Sequence, residues 1–454
     1  MTNPLFRKPT GPLAASDNPY LIFGWTENPF PDKPGVIPDS EDARVNGMTY
    51  RPDIRAREES EFDRLLLNKQ PPRPVVFLMD FATRRGRGIG KTAFLSHQCR
   101  RIMNDLGDAA TGGERVLVAA HMSPPAEGRC RRFWQVSQLL VRSLVEQHVV
   151  ARAMWRIRAF SGIIPDAVLE LVGDDPTTTI GDNRWLEKHG VGEFDISESV
   201  KKLLASQGVS DEVAHHLAWS GHVTDGARSA LFEKWTETDW RKNAGTLVFD
   251  ELVRAFRAAR INQGLLLLDD VERIVTHQSI RERAAFAEDI RHTFIDGANA
   301  NARTRFYSLL LTIHPYIQEL LVTHWNRAGL DRFCSLSGKM DTEYTIYFQP
   351  LDASAAEPLV IEYSNRVRVD SAERNSLRPF DLPGLKEALK LADGLPGVML
   401  ALLHNVVEEA AKVRWQSISA EQVRDVFQRQ SPEEVFETPL TTPLPSTRVD
   451  LSKE

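Results

Sequence analysis

One segment limits what this chain can fold into more than any other. Arg85-Gly86-Arg87-Gly88-Ile89-Gly90-Lys91-Thr92 stands between the apolar run Val75-Val76-Phe77-Leu78-Met79 and a stretch, Lys91 to Leu106, where Phe94, Leu95, Cys99, Ile102, Met103 and Leu106 recur at helical spacing. A continuous apolar run is the pattern of a strand buried on both faces, as in a parallel sheet. Strand, glycine loop and helix in that order are the context that a phosphate-binding loop requires. Glycines let the backbone wrap a polyphosphate with its N–H groups pointing inward, and the helix N-terminus adds positive potential. Lys91 then reaches the outer phosphates and Thr92 ligates Mg²⁺. The expected contacts to ATP are Gly86, Arg87, Gly88, Ile89, Gly90, Lys91, Thr92 and Ala93. The loop departs from the Gly-x-x-x-x-Gly-Lys-Thr pattern at its entrance, where Arg85 replaces the first glycine. Arg84, Arg85 and Arg87 are either contacts to nucleotide or partner, or solvated loop charges.

A second segment complements the first. Leu265-Leu266-Leu267-Leu268-Asp269-Asp270-Val271-Glu272 reads as an apolar strand ending in carboxylates. With this strand beside the first, its C-terminal end lies near Lys91 and Thr92, where ligands bind in such sheets. Asp269 is then the metal-holding carboxylate, and Asp270 the group that polarises an attacking water. A short Asp in the place of a Glu base implies slow hydrolysis, with Glu272 the alternative base. Ser308-Leu309-Leu310-Leu311-Thr312-Ile313-His314-Pro315 ends a further strand, offering Thr312 or His314 to the γ-phosphate or the lytic water. Arg327 and Arg332 follow, each either a cation for nucleotide in an adjacent subunit or a surface ion pair.

Strand-like runs at Val116 to Ala120, Leu265 to Leu268, Tyr307 to Thr312 and Tyr344 to Phe348 alternate with helical stretches. Alternation of this kind implies a three-layer α/β fold, because parallel strands need crossover connections. Between the second and third runs lies a long, mostly helical segment holding Trp134, Trp155, Trp185, Trp219, Trp235 and Trp240. Its tryptophans fill a small core or form an aromatic binding surface. After Leu351 the pattern is helical, over Ala355 to Val367, Leu382 to Leu391, Gly397 to Val413, and Ala420 to Gln428, the last capped by Ser419. The resulting division is an extended Pro-rich arm at 1–52, a core at 53–130 and 263–351, a helical insertion at 131–262, a helical lid at 352–430 and a disordered tail at 431–454.

Composition narrows the function classes. With Lys+Arg 56 against Asp+Glu 62 the net charge is −6, which excludes a wholly basic nucleic-acid coat but not a local basic face. Candidate DNA contacts are Arg129, Arg131 and Arg132 beside Phe133 and Trp134, and Arg152, Arg156 and Arg158 around Trp155. The 3 cysteines match no zinc spacing, which argues for a reducing compartment. No run reaches the roughly 18 apolar residues of a membrane span, and no apolar signal-peptide core is present, so the expected location is the cytoplasm. His215, His216 and His222 form no metal set.

These residues together resemble an ATPase of the AAA+ and STAND branch of the P-loop NTPase fold, over roughly Asn28 to Phe427 with the insertion outside it. The resemblance implies a three-layer P-loop parallel sheet with a C-terminal helical lid domain, and an intervening strand between the glycine loop and the Asp-Asp strand, which Val116 to Ala120 supplies. Asp331-Arg332-Phe333 is similar to the Arg-Phe box of origin-recognition-type AAA+ proteins, which makes Arg332 a finger acting in trans. Gly394-Leu395-Pro396 resembles the Gly-Leu-Pro of STAND lids, whose proline packs on adenine. Gly397 stands where many AAA+ lids carry an arginine. Asn28-Pro29-Phe30 and the Glu61 to Leu66 helix are similar to transposition-associated AAA+ ATPases. Two functions are implied: an ATP-driven, homo-oligomeric motor or switch acting on DNA or a protein–DNA complex, in phage defence or mobile-element biology, or a STAND-like switch that holds ATP or ADP and signals to a protein partner with little turnover.

Overall fold

Five strands form one parallel sheet: β1 (Val75–Asp80), β2 (Leu117–Met122), β3 (Gln263–Leu268), β4 (Tyr307–Ile313) and β5 (Thr345–Phe348), in the order β2-β3-β4-β1-β5. The computed structural model describes residues 18–37, 40–69, 71–80, 88–106, 115–125, 128, 130–173, 176, 178–219, 247–297, 300–336 and 343–429. They fall into two units, one of Met1–Ile54, Arg87–Gly90 and Pro350–Glu454, the other of Arg55–Gly86 and Lys91–Gln349.

The sheet belongs to the second unit. Every residue of β1 to β4 is buried, as the near-continuous apolar runs require. Their neighbours differ from expectation. β3 does not lie beside β1: β4 separates them, pairing with β1 from Val75↔Leu309 to Met79↔Ile313 and with β3 from Gly264↔Tyr307 to Leu268↔Leu311. β2 intervenes in sequence but flanks β3 at the sheet edge, so the strand standing between β1 and β3 is β4. Apolar runs of equal character do not say which buried strand pairs with which.

Alternating side chains engage helices on both faces. Phe77 of β1 meets Trp325 of the helix Pro315–Arg327 at a ring separation of 5.4 Å. On the opposite face Phe348 of β5 meets Phe94 of the helix Lys91–Arg101 at 5.2 Å, and Phe94 meets Phe62 of the helix Ala56–Phe62 at 5.7 Å. The fold is therefore α/β in three layers. The outer edge of β2 meets a side chain rather than a strand among the described residues. Gln147 accepts from His121 N–H at 2.9 Å and donates to His121 O at 2.5 Å, so its amide imitates the next strand.

The inserted helices, among them Phe133–Glu146, Val149–Phe160, Glu193–Ser206, Asp211–Trp219 and Leu247–Ala258, share one apolar core with the sheet. Trp155 is buried, and Trp134, Trp185 and Trp219 pack against the same core, so these tryptophans fill space rather than form an open surface. Trp235, Trp240 and His222 lie outside the described residues. Arg156 and Arg158, read as DNA contacts, are 5% and 2% exposed. Arg156 donates to Ala259 O at 2.8 Å, while Arg158 donates to Ile180 O and Gly181 O at 3.0 and 2.9 Å. Arg152 bonds Met103 O. Their place around Trp155 in the sequence does not say which of them face outward, and the fold turns Arg156 and Arg158 inward onto backbone carbonyls.

In the first unit the helices Ala356–Asn365, Leu382–Leu391, Pro396–Val413 and Ala420–Arg429 surround an aromatic cluster. The described part of the segment read as an extended arm is built into that cluster. Phe23, Trp25 and Phe30 are at most 2% exposed, and Trp25 and Phe30 lie 6.4 and 5.9 Å from Phe380. Asn28 donates to His404 O and Glu408 Oε1, and Tyr20 Oη donates to Glu408 Oε1 at 2.5 Å. Prolines oppose long regular elements here, and the short 3-10 helix Pro19–Phe23 begins at one of them, while buried aromatic rings order the rest. Among the described residues no helix is long and apolar enough to cross a membrane.

Candidate functional site

Asp269 is the centre on which the second unit's polar groups converge. It follows the last residue of β3, and its side chain is 2% exposed. Thr92 Oγ1, in the first turn of the glycine-loop helix, donates to Asp269 Oδ2 at 2.6 Å. Thr312 Oγ1, from the neighbouring β4, donates to Oδ1 at 2.8 Å, and the Asp270 N–H donates to the same oxygen at 2.9 Å. His121 of β2 brings Nε2 to 3.8 Å from Oδ2, too far for a hydrogen bond, so its influence is electrostatic. Burial raises the Asp269 carboxyl, but His121 and the two threonine hydroxyls more than offset this and hold it well below the usual carboxylate range. It is an anion at neutral pH.

Lys91 begins the same helix and places Nζ 2.5 Å from Asp80 Oδ2 at the end of β1. The Asp80 side chain is 1% exposed, and its Oδ1 has no partner among the described residues. Lys91, Thr92, Asp80, Asp269 and Thr312 thus gather at the C-terminal ends of β1, β3 and β4, the side of a parallel sheet where ligands bind.

The remaining candidates are placed as follows. Asp270 adopts φ +49° and pairs with Arg273 Nη2 at 2.7 Å. Glu272 opens the short helix Glu272–Val275, and burial together with the Asp270 charge pushes its carboxyl up to about 7, with Lys91 opposing the rise. His314 caps the helix Pro315–Arg327 by accepting from Tyr316 N–H at 3.3 Å. Arg327 and Arg332 are exposed, Arg332 in the turn Leu330–Arg332 beside Phe333, which is 42% exposed.

In the first unit Gly88 and Gly90 have φ of +86° and +100°, values that side chains with a Cβ rarely adopt. Pro396 is the first residue of the helix Pro396–Val413, and a Cβ built on Gly90 would meet Pro396 Cγ at 3.9 Å. Gly86 and Arg87, like Arg84, Arg85 and Arg129, lie outside the described residues.

Sequence reasoning passed over Asp80 and His121. Asp80 carried the signal that singled out Asp269, a carboxylate ending an apolar strand. His121 had the weaker signal of a first polar residue after Val116 to Ala120.

No protein-family model matches the chain, and no curated protein matches it. Among solved structures it is similar to the Aeropyrum pernix ORC2 protein in its ADPNP-ADP complexes, at 11% identity and a TM-score of 0.40, over 87% of this chain and 69% of that one.

Proposed function

We propose that this chain is an AAA+-like P-loop protein that binds ATP with Mg²⁺ and hydrolyses it slowly, using turnover or nucleotide exchange as a switch. The observation that carries the reading is the convergence of Thr92 and Thr312 on Asp269, at 2.6 and 2.8 Å, next to Lys91. A lysine, a threonine and a buried carboxylate anion are donors that a magnesium–triphosphate requires, and the glycine spacing before Lys91 fits a loop that cradles phosphate. The loop N–H groups and the Lys91 ammonium hold the phosphates, and Thr92 and Asp269 hold the cation, directly or through water. Phosphate oxygens and water would complete the cation's shell. The cation would neutralise charge between the outer phosphates. Thr312 keeps Asp269 from rotating, and Asp270 or Glu272 orients the attacking water.

Two features favour slow turnover. Asp270 is engaged by Arg273, and Glu272 holds its proton up to about pH 7. Assembly through Arg332 of one subunit at another's nucleotide is the reading for the exposed Arg332-Phe333 pair. The switch reading gains over the DNA motor because Arg156 and Arg158 are committed to backbone carbonyls. Arg131 and Arg132 remain as candidate DNA contacts. The core, insertion and lid divisions at 53–130 with 263–351, 131–262 and 352–430 are proposed as the working parts of this device.

The test is steady-state ATP hydrolysis with Mg²⁺, with and without duplex DNA, in wild type, Lys91→Ala and Asp269→Asn. Turnover in the wild type that both variants lose supports the ATPase. Stimulation by DNA would restore the motor, and absence of both nucleotide binding and turnover would sink the nucleotide reading.

A further inference from the structure

We propose that Gly397 is a positioning residue for the phosphate loop, fixing the peptide plane after Gly88, an inference that rests on the nucleotide reading above. Gly397 N–H donates to Gly88 O at 2.8 Å. As the second residue of the helix Pro396–Val413, its N–H has no intrahelical acceptor, and the loop carbonyl supplies one. The two backbones are too close for any side chain at 397. A Cβ there would stand 2.9 Å from Gly88 Cα and 3.0 Å from Gly88 O. Both are backbone atoms, so no rotamer change relieves the overlap.

The helix cannot readily yield. Leu402, Leu403, Val406 and Val407 on its length are 0% exposed, and the turn before it is tied by Leu351 N–H to Gly394 O at 2.8 Å. The loop must therefore move if residue 397 grows. The consequence for the loop follows from peptide planarity: Gly88 C=O and Ile89 N–H lie in one rigid plane and point in opposite directions. Holding the carbonyl toward Gly397 turns the Ile89 N–H to the other side, the orientation a phosphate-cradling loop needs.

Helix propensity alone makes the opposite prediction, since alanine is favoured over glycine inside a helix. The experiment compares wild type with Gly397→Ala by titration of a fluorescent N-methylanthraniloyl ATP with Mg²⁺, by thermal melting without nucleotide, and by hydrogen exchange of the segment from Gly88 to Thr92. The expected result is roughly tenfold weaker nucleotide binding, as displaced binding groups cost orders of magnitude, with an unchanged or higher melting temperature and faster exchange in the loop. Affinity within about twofold of wild type, with unchanged loop exchange, overturns the proposal. An arm independent of the variant's folding is the Gly397 amide in the wild type, which is expected to be protected from exchange. Exchange at the free rate overturns the contact. If the wild type binds no nucleotide the nucleotide reading fails, while the exchange arms still decide whether Gly397 holds Gly88.

Discussion

Lys91 Nζ and Asp80 Oδ2 lie 2.5 Å apart in an ion pair that is unequal in burial, the carboxylate side chain 1% exposed and the lysine 16%. Removing either partner therefore has different consequences. Lys91→Ala strands a buried carboxylate and is expected to cost about 3 kcal/mol, whereas Asp80→Asn leaves an ammonium that reaches water and costs less. The double variant Lys91→Ala/Asp80→Asn should recover most of the loss. Denaturant unfolding of all four proteins measures the cycle, and additive losses would show that the pair is not coupled.

Thr312→Val keeps the shape of the side chain and deletes the hydroxyl that donates to Asp269. A hydrogen bond to a charged group contributes about 1.5–3 kcal/mol, so a stability loss near the low end of that range is expected, with slower ATP turnover. Equal stability and equal turnover in Thr312→Val would remove Thr312 from the site.

Glu272 gives stability a pH dependence of definite sign. Its folded value of about 7 lies above the ordinary glutamate value of 4.5, so between these values the folded state binds more protons than the unfolded one. Its contribution to stability therefore falls as pH rises from about 4.5 to about 7 and is flat above that. Glu272→Gln should raise the melting temperature more at pH 8 than at pH 5. A gain that does not depend on pH would contradict the burial argument.

Arg158→Ala removes the donor to Ile180 O and Gly181 O. Stranding buried acceptors costs about 1–3 kcal/mol each, so the variant should melt at lower temperature without any change in DNA affinity. Reduced DNA binding at full stability would return Arg158 to the surface role that its place beside Trp155 in the sequence suggested.

Much of this site was legible before folding because its chemistry is local. Lys91 and Thr92 follow the strand before them closely in sequence, and Asp269 announces itself by ending a run of leucines. Asp80 was missed although its pattern is the same, because a lone carboxylate before a glycine loop has no partner until the helix turns Lys91 back over it. His121 was missed because it comes from the edge strand beside β3. Its distance to Asp269 depends on register, and Met122↔Leu268 is a pairing that no periodicity encodes. The insertion's arginines misled for a related reason. Arginines set around a tryptophan in sequence do not show whether they meet solvent or a carbonyl.

Element type and the order of strand, glycine-rich segment and helix follow from the sequence alone, since apolar runs, helical periodicity and glycine spacing act over a few residues. Strand order was decided only by the tertiary structure: β4 enters between β1 and β3, and so brings Thr312 rather than a β3 residue next to the loop strand. The burial of Trp25 among the aromatics of the first unit and the seat of Gly397 on Gly88 are decisions of the same kind. Each depends on contacts between residues hundreds of positions apart, where packing of surfaces, rather than the preference of any local segment, selects the partner.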